Sequence, residues 1–279
     1  MKNNKSLGQH WLYNRQILDD IADFAAGNTP ETLENSPAKL PKSPKTALEE
    51  RVRPLCLEIG PGLGTLTSSL LRVFPRVISV EFDQRLAENL PKSFPGKNLE
   101  VVNQDFLKFD LESIDEPYVV AGNIPYYITS PIIKKLIEAK NQPLRIVLLI
   151  QKEVAERIAA KKGRHTVLSL SVQNRASVTL GPVVGREFFT PPPDVDSEII
   201  ILEPLSAPIV PDQIFSIIKR GFSAPRKKLI KNIGQLRTSD LQAIFSRIGI
   251  SADARPADLD LVDWEKLYQE LFSSCQNYS

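Results

Sequence analysis

Apolar residues along this chain alternate between two rhythms. Ile17, Ile21 and Phe24 fall at near-helical spacing and predict a helix over roughly 14–26. Five short, nearly continuous apolar runs then follow, at 55–59, 77–80, 99–103, 118–122 and 145–150, and read as buried strands. Between them 63–73, 83–90 and 130–139 read as helices, as does a stretch near 151–160 after the last, with Asp83 expected to cap one and Ser130-Pro131 to open another. Two closing strands are expected at 177–184 and 198–202. This alternation predicts an α/β fold built on a doubly wound, mostly parallel, seven-stranded sheet. From about 207 the rhythm turns helical: Ile214, Ile217, Ile218; Leu241, Ile244, Phe245, Ile248; Leu267, Leu271. The expected organisation is therefore an α/β part over 1–204 and a small all-α part over 205–279. Residues 27–53, with Pro30, Pro37, Pro41 and Pro44 in a stretch of little apolar content, break the pattern and read as a mobile insertion loop.

Composition narrows the class. A chain of 279 residues suits two domains at about 150 residues each. Two cysteines, Cys56 and Cys275, exclude a disulfide framework. The two histidines offer no zinc spacing, so no metal is expected. Apolar runs such as 146–150 are far shorter than the 18 or so residues that span a bilayer. The first residues lead into no apolar signal core, which favours a reduced, cytoplasmic setting with no membrane partner. The net charge of +2 by itself predicts no nucleic-acid partner, but its distribution is uneven. Residues 1–204 carry 25 basic and 25 acidic groups, whereas 213–239 holds seven basic groups and no acidic one. These are Lys219, Arg220, Arg226, Lys227, Lys228, Lys231 and Arg237.

Candidate chemistry gathers at the carboxyl ends of the expected strands. Glu58-Ile-Gly60-Pro-Gly62-Leu-Gly64 follows the first of them and opens a helix, where glycines allow a tight turn and a close approach to a ligand. A plain βα turn could use the same triplet. A dinucleotide fingerprint would need G-x-G-x-x-G, but position 65 is Thr. The alternating glycines preceded by an acid instead resemble the loop of S-adenosylmethionine-dependent methyltransferases. Glu81, 17 residues after Gly64, ends the second of these strands and could accept from ribose hydroxyls. Asp105, just past the third, could accept from an adenine amine. All three features converge on the crevice where such sheets bind ligands.

Gly122-Asn123-Ile124-Pro125-Tyr126-Tyr127, after the fourth strand, is the most specific signal. It resembles the (N/D/S)-P-P-(Y/F) motif of methyltransferases that act on amino groups of bases. An adenine amine is a poor nucleophile because its lone pair is delocalised into the ring. The Asn123 side-chain carbonyl and the Pro125 backbone carbonyl can each accept one N–H and stabilise positive charge growing on nitrogen, with no strong base required. Tyr126 offers a face for an extruded base.

With these residues in place, nearly the whole chain resembles the ribosomal RNA small-subunit adenine dimethyltransferase family. Lys5-Ser-Leu-Gly8-Gln9-His10-Trp11-Leu12 is similar to its K-x-x-G-Q-(N/H)-F-L start. Phe189-Thr-Pro191-Pro-Pro-Asp-Val195-Asp196-Ser197 is similar to its F-x-P-x-P-x-V-D-S motif, and Arg226-Lys-Lys-Leu-Ile to its basic segment. His165-Thr166 stands where the family commonly has Tyr-Gly, and Pro225 sits inside the basic segment, with Ser223 as expected cap and Gly234 as stop of a short helix. The resemblance implies S-adenosylmethionine as methyl donor. His10 and Leu12 would close over its methionine end, Gly60 and Gly62 would contact its amino-acid part, and Glu81 and Asp105 would hold ribose and adenine. Asn123 would bind the target amine, with Phe189 stacking on the target base opposite Tyr126. The implied partner is small-subunit rRNA in an immature ribosomal small subunit. Lys219, Arg220, Arg226, Lys227, Lys228 and Lys231 would grip its phosphates, and the enzyme is expected to act as a monomer. The implied reaction is dimethylation of two adjacent adenines near the 3′ end of that rRNA. Two alternatives remain: a large-subunit rRNA adenine methyltransferase of the antibiotic-resistance type, and a non-catalytic ribosome-assembly relative that only binds RNA.

Overall fold

The computed structural model describes residues 10–30, 54–234 and 238–276. Lys5–Gln9, most of the 27–53 insertion and Arg237 lie outside them. The strands are β1 (Trp11–Leu12), β2 (Leu55–Ile59), β3 (Val77–Glu81), β4 (Leu99–Asn103), β5 (Tyr118–Asn123), β6 (Ile146–Gln151), β7 (Ala176–Val184), β8 (Phe189–Thr190) and β9 (Ser197–Pro204). The helices are α1 (Arg15–Ala25), α2 (Thr65–Val73), α3 (Gln84–Ser93), α4 (Thr129–Glu138), α5 (Lys152–Ile158), α6 (Val167–Gln173), α7 (Phe215–Gly221), α8 (Leu229–Asn232), α9 (Thr238–Arg247) and α10 (Leu261–Gln276). Among the described residues no helix is long and apolar enough to cross a membrane.

Seven strands form one sheet in the order β4-β3-β2-β5-β6-β9-β7. Pairs β4–β3, β3–β2, β2–β5 and β5–β6 are parallel, and β9 runs antiparallel to β6. The inner strands are buried on both faces, which is why they read as unbroken apolar runs rather than alternating ones. Chain order reverses beside β2, with β3 on one side and β5 on the other, and such a switch point opens a crevice at the carboxyl ends. A second, two-stranded ladder pairs β1 with β8, setting Trp11 opposite Thr190 and Leu12 opposite Phe189.

Local signals explain most boundaries. Asn14 caps α1 through Ile17 N–H, and Asp83 caps α3 through the amides of Arg85 and Leu86, as its sequence position predicts. Helix α2 starts at Thr65, two residues later than its apolar spacing suggests, because Gly62 and Gly64 hold φ of 56° and 81° and keep the chain in a turn. Ser130 does not cap α4. The helix begins at Thr129 with Ile128 at its cap, and Pro131 is tolerated because first-turn N–H groups have no partner inside the helix. Ser223 likewise caps no helix: a turn closed by Lys227 N–H on the Ala224 carbonyl comes first, and Leu229–Asn232 follows with Lys228 at its cap.

The chain divides into two compact units, Met1–Ala155 with Val178–Pro204, and Glu156–Ser177 with Leu205–Ser279. A single cut at 204 would leave 156–177 with the sheet. Instead, Leu170 belongs to a core with Val210, Ile214, Ile218, Phe245 and Trp264. The Asn174 side chain binds both the N–H and the C=O of Val210. Helix α6 supplies Leu170, with Asn174 as its C-cap. It is too short for its periodicity to show, and is fixed by a reciprocal cap in which Thr166 and Ser169 bind each other's backbone N–H. His165 is buried beside it, so the departure from the family's Tyr-Gly lies in packing.

Candidate active site

A cavity of about 250 Å³ opens at the switch point, entirely within the first unit. Its floor is the turn after β2, with Gly60, Pro61 and Gly62; its sides are Glu81 and Phe82 at the end of β3, and Gln104 to Leu107 after β4. Asn123 to Ile128, at and beyond the end of β5, and His10 to Leu12 from the N-terminal segment also line it. Strand register sets this convergence, pairing Val80 with Ile59, Glu81 with Asn103 and Ile59 with Gly122.

The glycine loop is tightly packed. A Cβ on Gly64 would lie 2.7 Å from Leu90 Cδ1 and 2.9 Å from Phe94 Cε2, and one on Gly62 would lie 3.2 Å from Trp11 Nε1. Beneath the loop, Glu58 is fully buried. Its Oε2 accepts the hydroxyls of Thr67 (2.8 Å) and Ser79 (2.7 Å). Burial pushes its pKa up to about 7, with the Glu81 charge adding to the rise and the two hydroxyls opposing it. Glu81 is 5% exposed and braces the loop, taking the Gly62 N–H (3.0 Å) on Oε2 and the Asp83 N–H (2.8 Å) on Oε1. Burial holds its carboxyl above the ordinary range. Each oxygen keeps a lone pair for a further donor. Asn103 fixes the strand end behind it by donating to the carbonyls of Glu81 (2.9 Å) and Phe82 (3.2 Å). Asp105 accepts the Leu107 N–H on Oδ1 (2.9 Å).

The Asn123 side chain is oriented by its Nδ2, which donates to the His10 carbonyl (2.9 Å) and leaves Oδ1 as an acceptor. The carbonyl of Pro125 already accepts the Ile128 N–H (3.2 Å), so one lone pair remains for a ligand. The Tyr126 hydroxyl is hydrogen-bonded to Ser197 Oγ (2.7 Å), and its ring stacks on His10 at 5.9 Å between centroids. His10 Nδ1 lies 2.8 Å from the Pro191 carbonyl, which can only accept; Nδ1 therefore carries the proton. The N-terminal segment is thus tied to two expected motifs at once, to Asn123 by its backbone and to the 189–197 segment by ladder and side chain.

The structure brings His10, Leu12, Gly60, Gly62, Glu81, Asp105, Asn123, Pro125 and Tyr126 to the cavity wall. It does not bring Phe189. That ring is 3% exposed and packs in the core with Leu12, Val184 and Ile199, because its strand pairs with β1 and turns the side chain inward. The exposed aromatic surfaces of the cavity are Phe82 (63%) and Tyr127 (66%), which the sequence reading passed over. Their positions, directly after the strand-end acid and next to Tyr126, were the available signal. In the second unit, Lys219, Arg220, Arg226, Lys227, Lys228 and Lys231 are all exposed, and Lys228 pairs with Asp253.

Comparison with known proteins accords with this geometry. Residues 1–272 match the ribosomal RNA adenine dimethylase family. Ribosomal RNA small subunit methyltransferase A of Gloeobacter violaceus is 39% identical, over 97% of this chain and 94% of its own. The protein of that name from Nostoc sp. is 35% identical, over 94% and 96%. A dimethyladenosine transferase from Plasmodium falciparum superposes with a TM-score of 0.73 at 27% identity, covering 95% of this chain and 98% of its own. The 23S rRNA methyltransferase ErmE does so with a TM-score of 0.71 at 26% identity, covering 94% and 99%. The likeness runs along nearly the full length of these proteins, and the chain belongs to the ribosomal RNA adenine dimethylase family.

Proposed function

We propose that this chain dimethylates the exocyclic amines of two adjacent adenines near the 3′ end of small-subunit rRNA, with S-adenosylmethionine as methyl donor. The observation that carries the proposal is the Asn123 amide, locked by the His10 carbonyl with its oxygen free at the wall of a cavity that also holds Glu81 and Asp105.

The residues present suit the donor chemically. Glu81 has lone pairs for two ribose hydroxyls, Asp105 Oδ2 can accept an amine proton, and Phe82 and Leu107 give the exposed apolar surface that an adenine ring covers. Gly60 and Gly62 border the amino-acid end, with His10 and Leu12 closing from above. When bound, S-adenosylmethionine supplies a methyl group on a sulfonium sulfur. Asn123 Oδ1 and the Pro125 carbonyl accept the two N–H groups of the target amine and stabilise the positive charge that develops as its lone pair is used. No strong base is required, because the methylated nitrogen is cationic and gives its proton to solvent. Tyr126 is held edge and face by Ser197 and His10, and its free face, with Tyr127, supports an extruded base. Phe189 acts one layer back, by fixing the ladder that carries His10.

The exposed cations of the second unit grip phosphates, with Lys228 taken partly out of play by Asp253. The substrate is rRNA in an immature small subunit, one chain acts alone, and the buried free thiol of Cys56 suits a reducing cytoplasm. Incubating purified, unmodified small and large ribosomal subunits side by side with labelled S-adenosylmethionine should place label in dimethyladenosine of the small-subunit rRNA. Label appearing only in large-subunit rRNA would overturn this reading in favour of the specificity carried by the name of ErmE.

A further inference from the structure

We propose that the second unit holds a stacking site for one unpaired base of the rRNA, in a cavity between α7 and α10. The inference rests on ribosomal RNA being the partner of this chain. The cavity has a volume of about 120 Å³ and shares no residue with the active-site cavity. Ile217 and Arg220 line it from α7, Tyr268, Leu271 and Phe272 from α10, and Ile233 from just past α8. Positions 268, 271 and 272 are three and four residues apart and so share one face of their helix. Ile217 and Ile233 are buried and give the cavity an apolar floor.

The wall says what enters. Phe272 is 56% exposed, yet its ring lies 5.9 Å from that of Tyr268 and only 17° from parallel with it. Paired ring faces at the edge of an apolar floor suit a planar partner. Among the described residues that line the cavity, Arg220 carries the only charge. Lys219 precedes it in the chain and Lys231 lies two residues before Ile233, both exposed. Two nearby carboxylates are committed elsewhere, Asp212 to Arg175 and Glu270 to Arg247. The rim therefore attracts a polyanion, and the rings take the flat, uncharged part of it. An unpaired nucleotide has both parts, a base to stack and a phosphate for the guanidinium. An apolar segment of a protein would have to desolvate Arg220 with no anion to meet it.

The test changes Phe272, whose exposure lets it be replaced without disturbing the core. Phe272→Leu should weaken binding of unmodified small subunits about tenfold in filter binding, as expected for one stacked base. Phe272→Tyr keeps the ring face and should stay within about twofold of the native chain. The slope of log affinity against log salt should be the same in both variants, since no cation is removed. A second measurement needs no variant. With S-adenosylmethionine in excess to fill the first cavity, uridine monophosphate should shift the ring proton signals of Tyr268 and Phe272, and ribose 5-phosphate should not. Full binding by Phe272→Leu, equal loss in Phe272→Tyr, or ring signals that answer both probes alike would overturn the inference alone. Loss in Phe272→Leu with rings indifferent to the nucleotide would overturn it in favour of a protein partner. Failure of the intact chain to bind small subunits would overturn the rRNA reading with it.

Discussion

The two units handle charge in opposite ways. In the first, the polar groups of the site are buried or half-buried and their directions are set: Glu81 by two backbone amides, Asn123 by the His10 carbonyl, Glu58 by two hydroxyls. In the second, six candidate contact residues lie on the surface, and the pair Lys228–Asp253 is exposed on both sides. The contrast follows from the tasks. Stabilising charge on one nitrogen requires acceptors fixed before the reaction, in a place where water cannot compete. Holding a polyanion draws on counterion release, which depends on the number of cations near phosphate and little on their exact angles.

Substitutions can break this comparison, beginning with the largest effect. Asn123→Ala should lower methyl transfer by about 10²–10³-fold while rRNA binding stays within a few-fold, measured by label incorporation and by filter binding. Parallel losses in both assays would mean that the two tasks are not separated. The triple change of Arg226, Lys227 and Lys231 to Ala should weaken rRNA binding roughly 10- to 50-fold near physiological salt. The slope of log affinity against log salt should fall by about 0.7–0.9 per contact removed. Lys227→Arg with Lys231→Arg should leave that slope unchanged, because the charge is kept.

Glu58 probes the buried side of the contrast. Its folded pKa of about 7 lies above the ordinary value of 4.5, so the folded state holds the extra proton between them. That contribution to stability is complete below about pH 4.5 and is lost as pH rises through about 7. Glu58→Gln should remove this dependence and gain on the native chain by about 1–3 kcal/mol above neutrality, read as the difference in thermal midpoint across pH. A constant difference across that range would show that Glu58 does not titrate there. The smallest effect is expected from Tyr126→Phe, which deletes the hydroxyl bound to Ser197 and should cost about 1 kcal/mol of stability in denaturant titrations.

The legible parts of the fold were those whose cause is local or repeats along the chain. The inner strands showed as apolar runs because both faces of a parallel sheet are covered, and Asp83 showed as a cap because the residues it binds are its neighbours. Helix α6 and the ladder between β1 and β8 left little trace. One is two turns long, and the other is two residues pairing across most of the first unit's chain length. Among the candidate site residues, Glu81 and Asp105 were placed by their position at strand ends and Asn123 by its motif, and all three line the same cavity. The inward turn of Phe189 was not, since a side chain's face in a two-residue strand depends on its partner.

Sequence alone determined the residue types available for chemistry, their order after successive strands and the clustering of positive charge after residue 213, because each is a property of the chain. Tertiary structure decided which of their atoms remain free. Asn123 presents its oxygen because its nitrogen meets a carbonyl 113 positions away. Hydrogen-bonding capacity is written into each residue, but its consumption depends on neighbours that only folding brings within 3 Å or so.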